Sequence, residues 1–275
     1  MKSKTERKEL DFDVGLQPIF TKIAGVERAL TRQVTWNKRE DKELFGYVSD
    51  KYHIITHKQV FEALDRVLKE KGLVVKDELV LASKSKGRME MFITLTGAEM
   101  TIEEPKYGLK EEWDIGFSIG NTIDGVGSLK ASSYMVRNIT GAGLQPSKIL
   151  GKEFKTHSYS NLEGWLNTTL DGIMTGLDRR FGLLKEAVEV DVQLDEFLAM
   201  TEDRLGVRFR KSVERQLEEK PAANPLYRVT RTDLSLYDAL SLLMYVNKLK
   251  QNKVSLGSIS LHYGKIEDII KEFLK

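Results

Sequence analysis

Alternation of apolar and polar residues with a period of two runs through much of the N-terminal half, and this period predicts β-strands. In ALTRQVTWNKREDKELFGYVSDKYHII, Val34 and Trp36 alternate with polar residues, and Phe45 and Tyr47 follow the polar turn NKRED. Further on, LVVKDELVLASKSKGRMEMFITLTG contains two runs rich in Val, Leu, Ile and Phe. They flank SKSKGR, positions 83–88, a small, polar and basic segment that we call the hairpin tip. The pattern predicts two antiparallel strand pairs.

A longer alternation predicts a third strand pair, which contains the glycine-rich segment NTIDGVGSLKASSYMVRNITGAGL. Apolar residues from Trp113 to Ile119 alternate with polar or small ones, and Asp124-Gly125 is a favoured tight-turn pair. The glycines match neither the GxGxxG of dinucleotide-binding folds nor the GxxxxGK of a phosphate-binding loop. The segment therefore predicts a strand, a turn and a strand. The preceding TIEEPKYGLKEE predicts an acidic loop.

A helical period of three and four residues appears in two parts of the chain. THKQVFEALDRVLKEKG predicts a helix capped by Thr56, with an apolar face from Val60 to Leu68 and a stop at Gly72. After residue 160, helices are predicted at NLEGWLNTTLDGIMTGLDRRFGLLKEAVEV, DEFLAMTEDRLG, TDLSLYDALSLLMYVNKLK (capped by Thr232 or Asp233) and KIEDIIKEFLK.

Segregated strands and helices predict an α+β fold. We expect a charged tail at 1–14 and a β-rich core at 15–160, with an antiparallel sheet, long hairpins and one packed helix. A mainly helical part at 161–275 is expected to pack on this core as one unit.

Composition narrows the class of protein. The 275 residues include no cysteine, which excludes disulfides, thiolate catalysis and zinc ribbons. No apolar run reaches the ~18 residues of a membrane span. The N-terminus, MKSKTERKELDFD, lacks the apolar stretch of a signal peptide, so an intracellular, cytoplasmic protein is expected. A cysteine-free, proline-poor chain with 31% charged residues is also common among thermophile proteins.

Enzyme sites receive little support from the pattern. His53 and His57 are four residues apart, but the predicted elements place them at a strand end and a helix start, and no third ligand is close in sequence. A metal-dependent nuclease needs carboxylates that converge on a shared pocket. Its candidates are Glu103, Glu104, Glu111, Glu112, Asp114 and Asp124. No catalytic residue, metal ligand or cofactor is predicted, and the nuclease stays an alternative.

The basic and aromatic residues favour a nucleic-acid-binding surface more than the carboxylates favour an enzyme site. Because the net charge is only +2, nucleic-acid binding requires a local patch. Single-strand binders combine cations along the backbone with aromatic platforms. The predicted nucleic-acid-binding residues are Lys84, Lys86, Arg88, Lys130, Tyr134, Arg137, Lys152, Lys155 and His157. We expect Lys130 and Tyr134 to share one strand face and Asp124 to cap its own turn; ordinary exposed cations and core aromatics are the competing interpretation.

Several motifs follow one another in an order found in a known family. GYVSDKYHIITHKQVFEALDRVL is followed by a hairpin, by the segment with Asp124-Gly125 and Arg137-Asn138, by Lys155-Thr156-His157, and by LSLYDALSLLMYVNKL with HYGKI. This order resembles the phage/plasmid-like protein family, catalogued as domain of unknown function 932. The resemblance covers most of residues 44 to 270. The cysteine of the family pattern is missing here, which indicates a divergent member.

The resemblance implies a setting as well as a fold. Members of that family are encoded by viruses, plasmids and integrated elements, which favours a nucleic-acid transaction. We therefore expect a DNA-binding protein, foremost for single-stranded DNA in protection or annealing, that uses phosphate contacts and stacking. The alternatives are the metal-dependent nuclease and a non-enzymatic assembly protein whose helical part docks a partner or a second copy as a homo-oligomer.

Overall fold

The computed structural model describes residues 2–23, 26–38, 44–49, 52–97, 100–104, 109–125, 127–137, 143–144, 161–218, 235–251, 265–266 and 268–274. Antiparallel sheets occupy the N-terminal half and helices the C-terminal part, so the predicted α+β class is confirmed. The described strands are β1 (Lys2–Lys4), β2 (Val14–Ile23), β3 (Val26–Asn37), β4 (Leu44–Ser49), β5 (Val75–Ser83), β6 (Arg88–Leu95), β7 (Met100–Glu104), β8 (Leu109–Thr122), β9 (Lys130–Arg137) and β10 (Gly143–Leu144). The described helices are α1 (His57–Glu70), α2 (Leu162–Val188), α3 (Leu194–Leu205), α4 (Val207–Glu218) and α5 (Leu236–Gln251).

The described strands form two sheets. β2, β3 and β4 make a three-stranded antiparallel sheet in that order. The other strands make a seven-stranded sheet in the order β1-β5-β6-β8-β9-β10, with β7 paired to β8. β5 and β6, β7 and β8, and β9 and β10 pair as antiparallel neighbours, whereas β6 lies beside β8 and not β7. β1 joins the edge of β5 from the N-terminus.

The predicted helix α1 and the hairpin after it are confirmed. The Thr56 hydroxyl accepts the Gln59 backbone N–H at 3.1 Å, and the Gln59 side chain accepts the Thr56 N–H at 2.8 Å. This reciprocal cap satisfies two backbone donors that a helix start leaves free. The apolar face of α1 is buried, from Val60 to Leu68. The pairing of β5 and β6 extends to Ala82 and Met89, so the predicted tip at 83–88 connects the two strands.

The N-terminal residues differ from the predicted charged tail. Lys2–Lys4 pairs with the end of β5, and Leu10 and Phe12 are 0% and 4% exposed. Arg7 donates to Asp65 of α1 at 2.8 Å and forms an ion pair with β5. The segment is ordered because its charged residues bind partners elsewhere in the chain, such as Asp65 for Arg7. A run of charges in the sequence does not reveal such distant partners.

The predicted acidic loop is a strand pair in its described residues. Met100–Glu104 pairs with the first residues of β8. Glu111 is 1% exposed, and its carboxylate accepts a hydrogen bond from the Tyr237 hydroxyl. The Trp113 Nε1–H donates to the same hydroxyl oxygen at 2.9 Å. The loop prediction assumed that water solvates the carboxylates, whereas the Glu111 carboxylate is buried and hydrogen-bonded within the protein.

The predicted C-terminal helices are confirmed where the structure describes them. α2, α3, α5 and the helical residues 265–266 and 268–273 coincide with the four predicted segments. α4 follows α3 directly and was not predicted. At the start of α5 the Ser235 hydroxyl accepts the Asp238 backbone N–H at 3.1 Å, which makes Ser235 the cap. Thr232 and Asp233 lie outside the described residues.

The chain divides into two compact units, each made of three segments. One unit contains Met1–Gly97, Phe117–Ser132 and Ile149–Ile173; the other contains Ala98–Gly116, Ser133–Lys148 and Met174–Lys275. The predicted boundary at residue 160 does not separate them, because β8, β9 and α2 each contribute residues to both units. Within the described ranges, no helix is long and apolar enough to cross a membrane.

Candidate nucleic-acid interface

The structure places the predicted basic hairpin tip beside acidic residues. The Lys86 Nζ lies 3.0 Å from a carboxylate oxygen of Glu9, and this contact lowers the pKa of Glu9 below its ordinary value. Arg88 forms an ion pair with Asp124. Lys84 is exposed. Two of the three predicted tip cations are therefore neutralised within the molecule.

A buried histidine fixes the backbone of the tip. His57 is 1% exposed, and Asn121 donates to its Nδ1 at 3.0 Å and to the Ile55 carbonyl at 2.9 Å. Because Nδ1 accepts, the imidazole proton is on Nε2, which donates to the Lys86 carbonyl at 2.9 Å. Burial lowers the pKa of His57 to about 4, although the Lys86 carbonyl and the charge of Asp124 act in the opposite direction. His57 is thus a neutral residue that holds the tip in place.

The predicted positive φ of Gly125 is confirmed, but β8 ends at Thr122 and β9 begins at Lys130, so the connection is longer than the predicted tight turn. Gly125 has a φ of +76°, and a Cβ at this position would lie 2.7 Å from Val48 Cγ1. The carboxylate of Asp124 is 7% exposed and binds Arg88, a partner outside the turn. The turn therefore ties the end of β8 to the hairpin tip; capping by Asp124 of its own turn stays a prediction.

The strand after the turn does not present the expected binding face. Lys130 is exposed, but Tyr134 is only 6% exposed, so its ring cannot stack on a base in this conformation. This corrects the prediction for Tyr134: alternation places the two residues on one side of β9, but that side is covered at Tyr134. The Arg137 side chain and the predicted residues Lys152, Lys155 and His157 lie outside the described part of the chain.

The carboxylates of the nuclease alternative have other partners. Glu111 is bound to Tyr237 in the interior, and a Glu103 carboxylate oxygen lies 3.8 Å from the Lys110 Nζ. Among the residues that the structure describes, no group of three or more His, Asp or Glu side chains could hold a metal ion. The described residues therefore give the nuclease alternative no metal centre.

An exposed aromatic surface lies instead on the three-stranded sheet. Tyr47 of β4 is 65% exposed and pairs across the strands with Val34 of β3. Arg32 is exposed and shares this side of β3, because it is two residues before Val34. The other side carries Thr35 and Val48, which are 0% and 4% exposed. The sheet thus has one covered face and one open face, which we call the outer face.

A β-bulge at Phe45 shapes the outer face. The register between β3 and β4 shifts at Trp36, which pairs with Leu44, so that Phe45 is an extra residue in β4. Phe45 stacks on Phe12 with ring centroids 5.5 Å apart. Leu44 is 62% exposed. The bulge therefore turns the half-buried Phe45 towards Phe12 and brings Leu44 to the same face as Tyr47.

A glycine on the neighbouring strand makes room for the indole ring on this face. Gly15 of β2 is the cross-strand partner of Trp36. A Cβ on Gly15 would lie 2.5 Å from two atoms of the ring. The indole ring thus rests on the backbone at Gly15, half-buried and beside the pair of Val34 and Tyr47. The outer face is therefore aromatic at this point.

Four exposed cations lie in the three-stranded sheet or directly after β3. Lys22, Arg28, Arg32 and Lys38 are exposed, and no ion pair joins any of them to another described residue. Glu27 is the one acidic residue among the described residues of the three strands and Lys38. These described residues therefore carry a net charge of +3, although the turn at 39–43 contributes two basic and three acidic residues to the sequence. The net positive charge thus comes from the described strand residues and Lys38, and it can attract an anionic partner.

A polar cleft of about 470 Å³ lies near the start of α1. Its lining includes His53, Glu62 and Arg66, and the Arg66 Nε–H donates to Glu163 at 2.7 Å. Its described lining residues include no Ser, Thr, Cys or Lys nucleophile. The described lining of the cleft therefore carries charges of both signs and none of these nucleophiles.

Part of the outer face was visible in the sequence. Arg32, Val34 and Trp36 are spaced by two, which places them on one side of a strand. The bulge gives no such signal, and strict alternation predicts that Phe45 and Tyr47 share a face. Nor does the sequence reveal which strand face stays uncovered, so these aromatic residues were as consistent with a core as with a surface.

Comparisons with protein-family models, with curated proteins and with solved structures found no match to this chain. The resemblance to the phage/plasmid-like family therefore stays a prediction that rests on its motifs.

Proposed function

We propose that this protein binds single-stranded nucleic acid, DNA foremost, across the outer face of its three-stranded sheet. Tyr47 provides a stacking platform for a base, with the ring of Trp36 beside it. Arg32 and the other exposed cations of the sheet contact phosphates. The protein recognises backbone and base planes in this proposal, without reading sequence at base edges.

The observation that carries the proposal is the 65% exposure of Tyr47 on the face that also bears Arg32. A large aromatic ring in water leaves apolar surface exposed, and a stacked base covers it for ~1–3 kcal/mol. Cations that are not neutralised by the protein can release counterions from phosphates. The tip cations Lys86 and Arg88 are less suited to this role, because each would first have to leave its carboxylate.

The motif resemblance supports the choice of DNA. A setting in viruses, plasmids and integrated elements provides single strands that need protection or annealing. The assembly alternative draws on the same surface, because Leu44 and Tyr47 could equally be covered by a second copy of the chain. Binding and self-association are separable by experiment.

Replacement of Tyr47 tests the stacking platform. Tyr47→Ala should weaken binding of a fluorescent single-stranded oligonucleotide by roughly 5- to 150-fold, equivalent to about 1–3 kcal/mol, measured by fluorescence anisotropy at low salt. Tyr47→Phe is the matched control and should retain the affinity, because it keeps the ring. Arg32→Gln should lower the slope of log affinity against log salt by about 0.7, the value for one phosphate of a single strand.

Three outcomes decide the proposal. If the wild-type protein gives no salt-sensitive anisotropy change, or if Tyr47→Ala binds as well as wild type, the outer face is not the binding surface. If Tyr47→Ala instead lowers the mass measured by light scattering without changing affinity, a second copy covers the face. Cleavage of labelled DNA with Mg²⁺ or Mn²⁺ would favour the nuclease alternative.

A further inference from the structure

The distal part of the three-stranded sheet has only two strands. β4 pairs with β3 over Arg32–Trp36, whereas β2 and β3 pair with each other out to Ile23 and Val26. We call residues 18–23 and 26–31 the arm. At about 3.4 Å per residue, six residues a strand give the arm a length of about 20 Å.

The arm is exposed on both faces. None of the arm side chains that the structure describes is buried, and Phe20 and Leu30 are 56% and 45% exposed. An isolated two-stranded ribbon is only marginally stable in water. A ribbon with two large apolar side chains in solvent is therefore expected to have a partner that covers it.

The edges of the arm are protected against pairing with another strand. Pro18 removes a backbone donor from β2, which is an edge strand in the described sheet. Lys22 and Arg28 place charge on the two strands, and charged side chains and proline discourage edge-to-edge association. These features argue against a second copy that adds a strand.

The charge of the arm fits a polyanion. Lys22 and Arg28 are exposed and have no ion pair with another described residue. Glu27, the cross-strand neighbour of Lys22, is the one acidic residue in the described arm, which keeps a net positive charge. A two-stranded β-ribbon fits the major groove of a duplex, which is about 12 Å wide. Other DNA-binding proteins insert apolar side chains between base steps from the minor groove, so a duplex also offers contacts for an exposed apolar residue.

We infer that the arm binds duplex DNA next to the single strand held on the outer face, so that the preferred ligand is a junction between single-stranded and double-stranded DNA. Lys22 and Arg28 contact phosphates of the duplex, and Phe20 packs against its bases. The inference rests on the proposed function, because the single strand at Tyr47 places the duplex beside the arm.

The experiment compares three fluorescent DNAs with the full chain: a single strand, a blunt duplex, and a junction that carries the same single strand. Wild type should bind the junction more tightly than either of the others. Phe20→Ala should weaken junction binding roughly tenfold or more, and Arg28→Gln should lower its salt slope by about 0.9. Both variants should bind the single strand as wild type does.

Controls separate this inference from the proposed function. Lys69→Gln on α1, another exposed cation, should leave the junction preference unchanged, and circular dichroism checks that each variant is folded. If wild type binds the single strand but prefers no junction, or if both arm variants keep the preference, the inference is overturned and the proposed function stands. If wild type does not bind the single strand, the proposed function fails first. A fall in mass by light scattering on Phe20→Ala, with unchanged junction binding, would assign the arm to a second copy.

Discussion

At the scale of single residues, His57 shows how a polar group becomes part of the core. Both ring nitrogens have partners, Asn121 at Nδ1 and the Lys86 carbonyl at Nε2, so the neutral ring is buried without a lost hydrogen bond. A charged ring would need two acceptors, and Asn121 presents a donor. The stability of the fold therefore depends on His57 remaining neutral.

This arrangement predicts a loss of stability in mild acid. The pKa of His57 is about 4 in the folded protein and near its ordinary value of 6.5 in the unfolded chain. Between these values the unfolded chain binds more protons, so the contribution is present above pH 6.5 and is lost as pH falls towards 4. We expect His57 to account for about 2 kcal/mol of the fall in unfolding free energy between pH 7 and pH 5, measured by urea titration.

Two variants isolate this effect from the titration of other groups. His57→Gln lowers stability at pH 7 but removes the titrating ring, so its disadvantage relative to wild type should shrink at pH 5. His53→Gln is the matched control, because His53 is exposed, and it should follow the wild-type profile. A constant gap between wild type and His57→Gln at both pH values would mean that His57 does not titrate in this range.

At the scale of elements, the N-terminal segment is part of the fold. Leu10 is fully buried, and Arg7 and Glu9 bind β5, α1 and the hairpin tip. Leu10→Ala should lower the unfolding free energy by about 2–5 kcal/mol, the usual cost of a large cavity in a core. Urea unfolding monitored by circular dichroism measures this loss.

Leu16→Ala is the control for this loss. Leu16 is 42% exposed on the edge strand β2, so its truncation removes little buried surface and should cost clearly less. Equal losses in the two variants would contradict the assignment of Leu10 to the core.

Elements with local signals were predictable, whereas those defined by distant partners were not. α1 was visible because Thr56 caps it and its apolar residues repeat at three and four, and the Asp-Gly turn was visible because Gly125 suits a positive φ. β1 was missed because its pairing with β5 depends on residues about eighty positions away. The buried role of Glu111 was missed for the same reason, since Tyr237 is far along the chain.

The candidate site also combines features that the sequence indicates with features that depend on distant residues. The sequence indicated the cations of the tip, which lie between two apolar runs, and the alternation of Val34 and Trp36. It did not predict that Glu9 and Asp124 neutralise two tip cations, because ion pairs between distant segments leave no local pattern. Nor did it predict the bulge that separates Phe45 from Tyr47.

At the scale of the whole molecule, sequence order and compactness do not coincide. The first unit includes residues 161–173, where Leu166, Leu170 and Ile173 are buried. The second unit needs residues 98–116, where Glu111 and Trp113 bind Tyr237. A cut at the boundary predicted from sequence, after residue 160, therefore removes part of the interior of each unit.

This division predicts the behaviour of fragments. Residues 1–160 lack the buried Leu166 and Leu170 of α2, and residues 161–275 leave Tyr237 without its partners from β8. We expect the full chain to show a cooperative thermal transition by circular dichroism at 222 nm and neither fragment to show one. The reason is that each fragment exposes apolar surface and buries an unpaired polar group. Mixing the two fragments should restore a cooperative transition, since together they supply every segment of both units. Independent sigmoidal melting of either fragment would show that the boundary at residue 160 separates folding units after all, and that the segments shared between them are dispensable for stability.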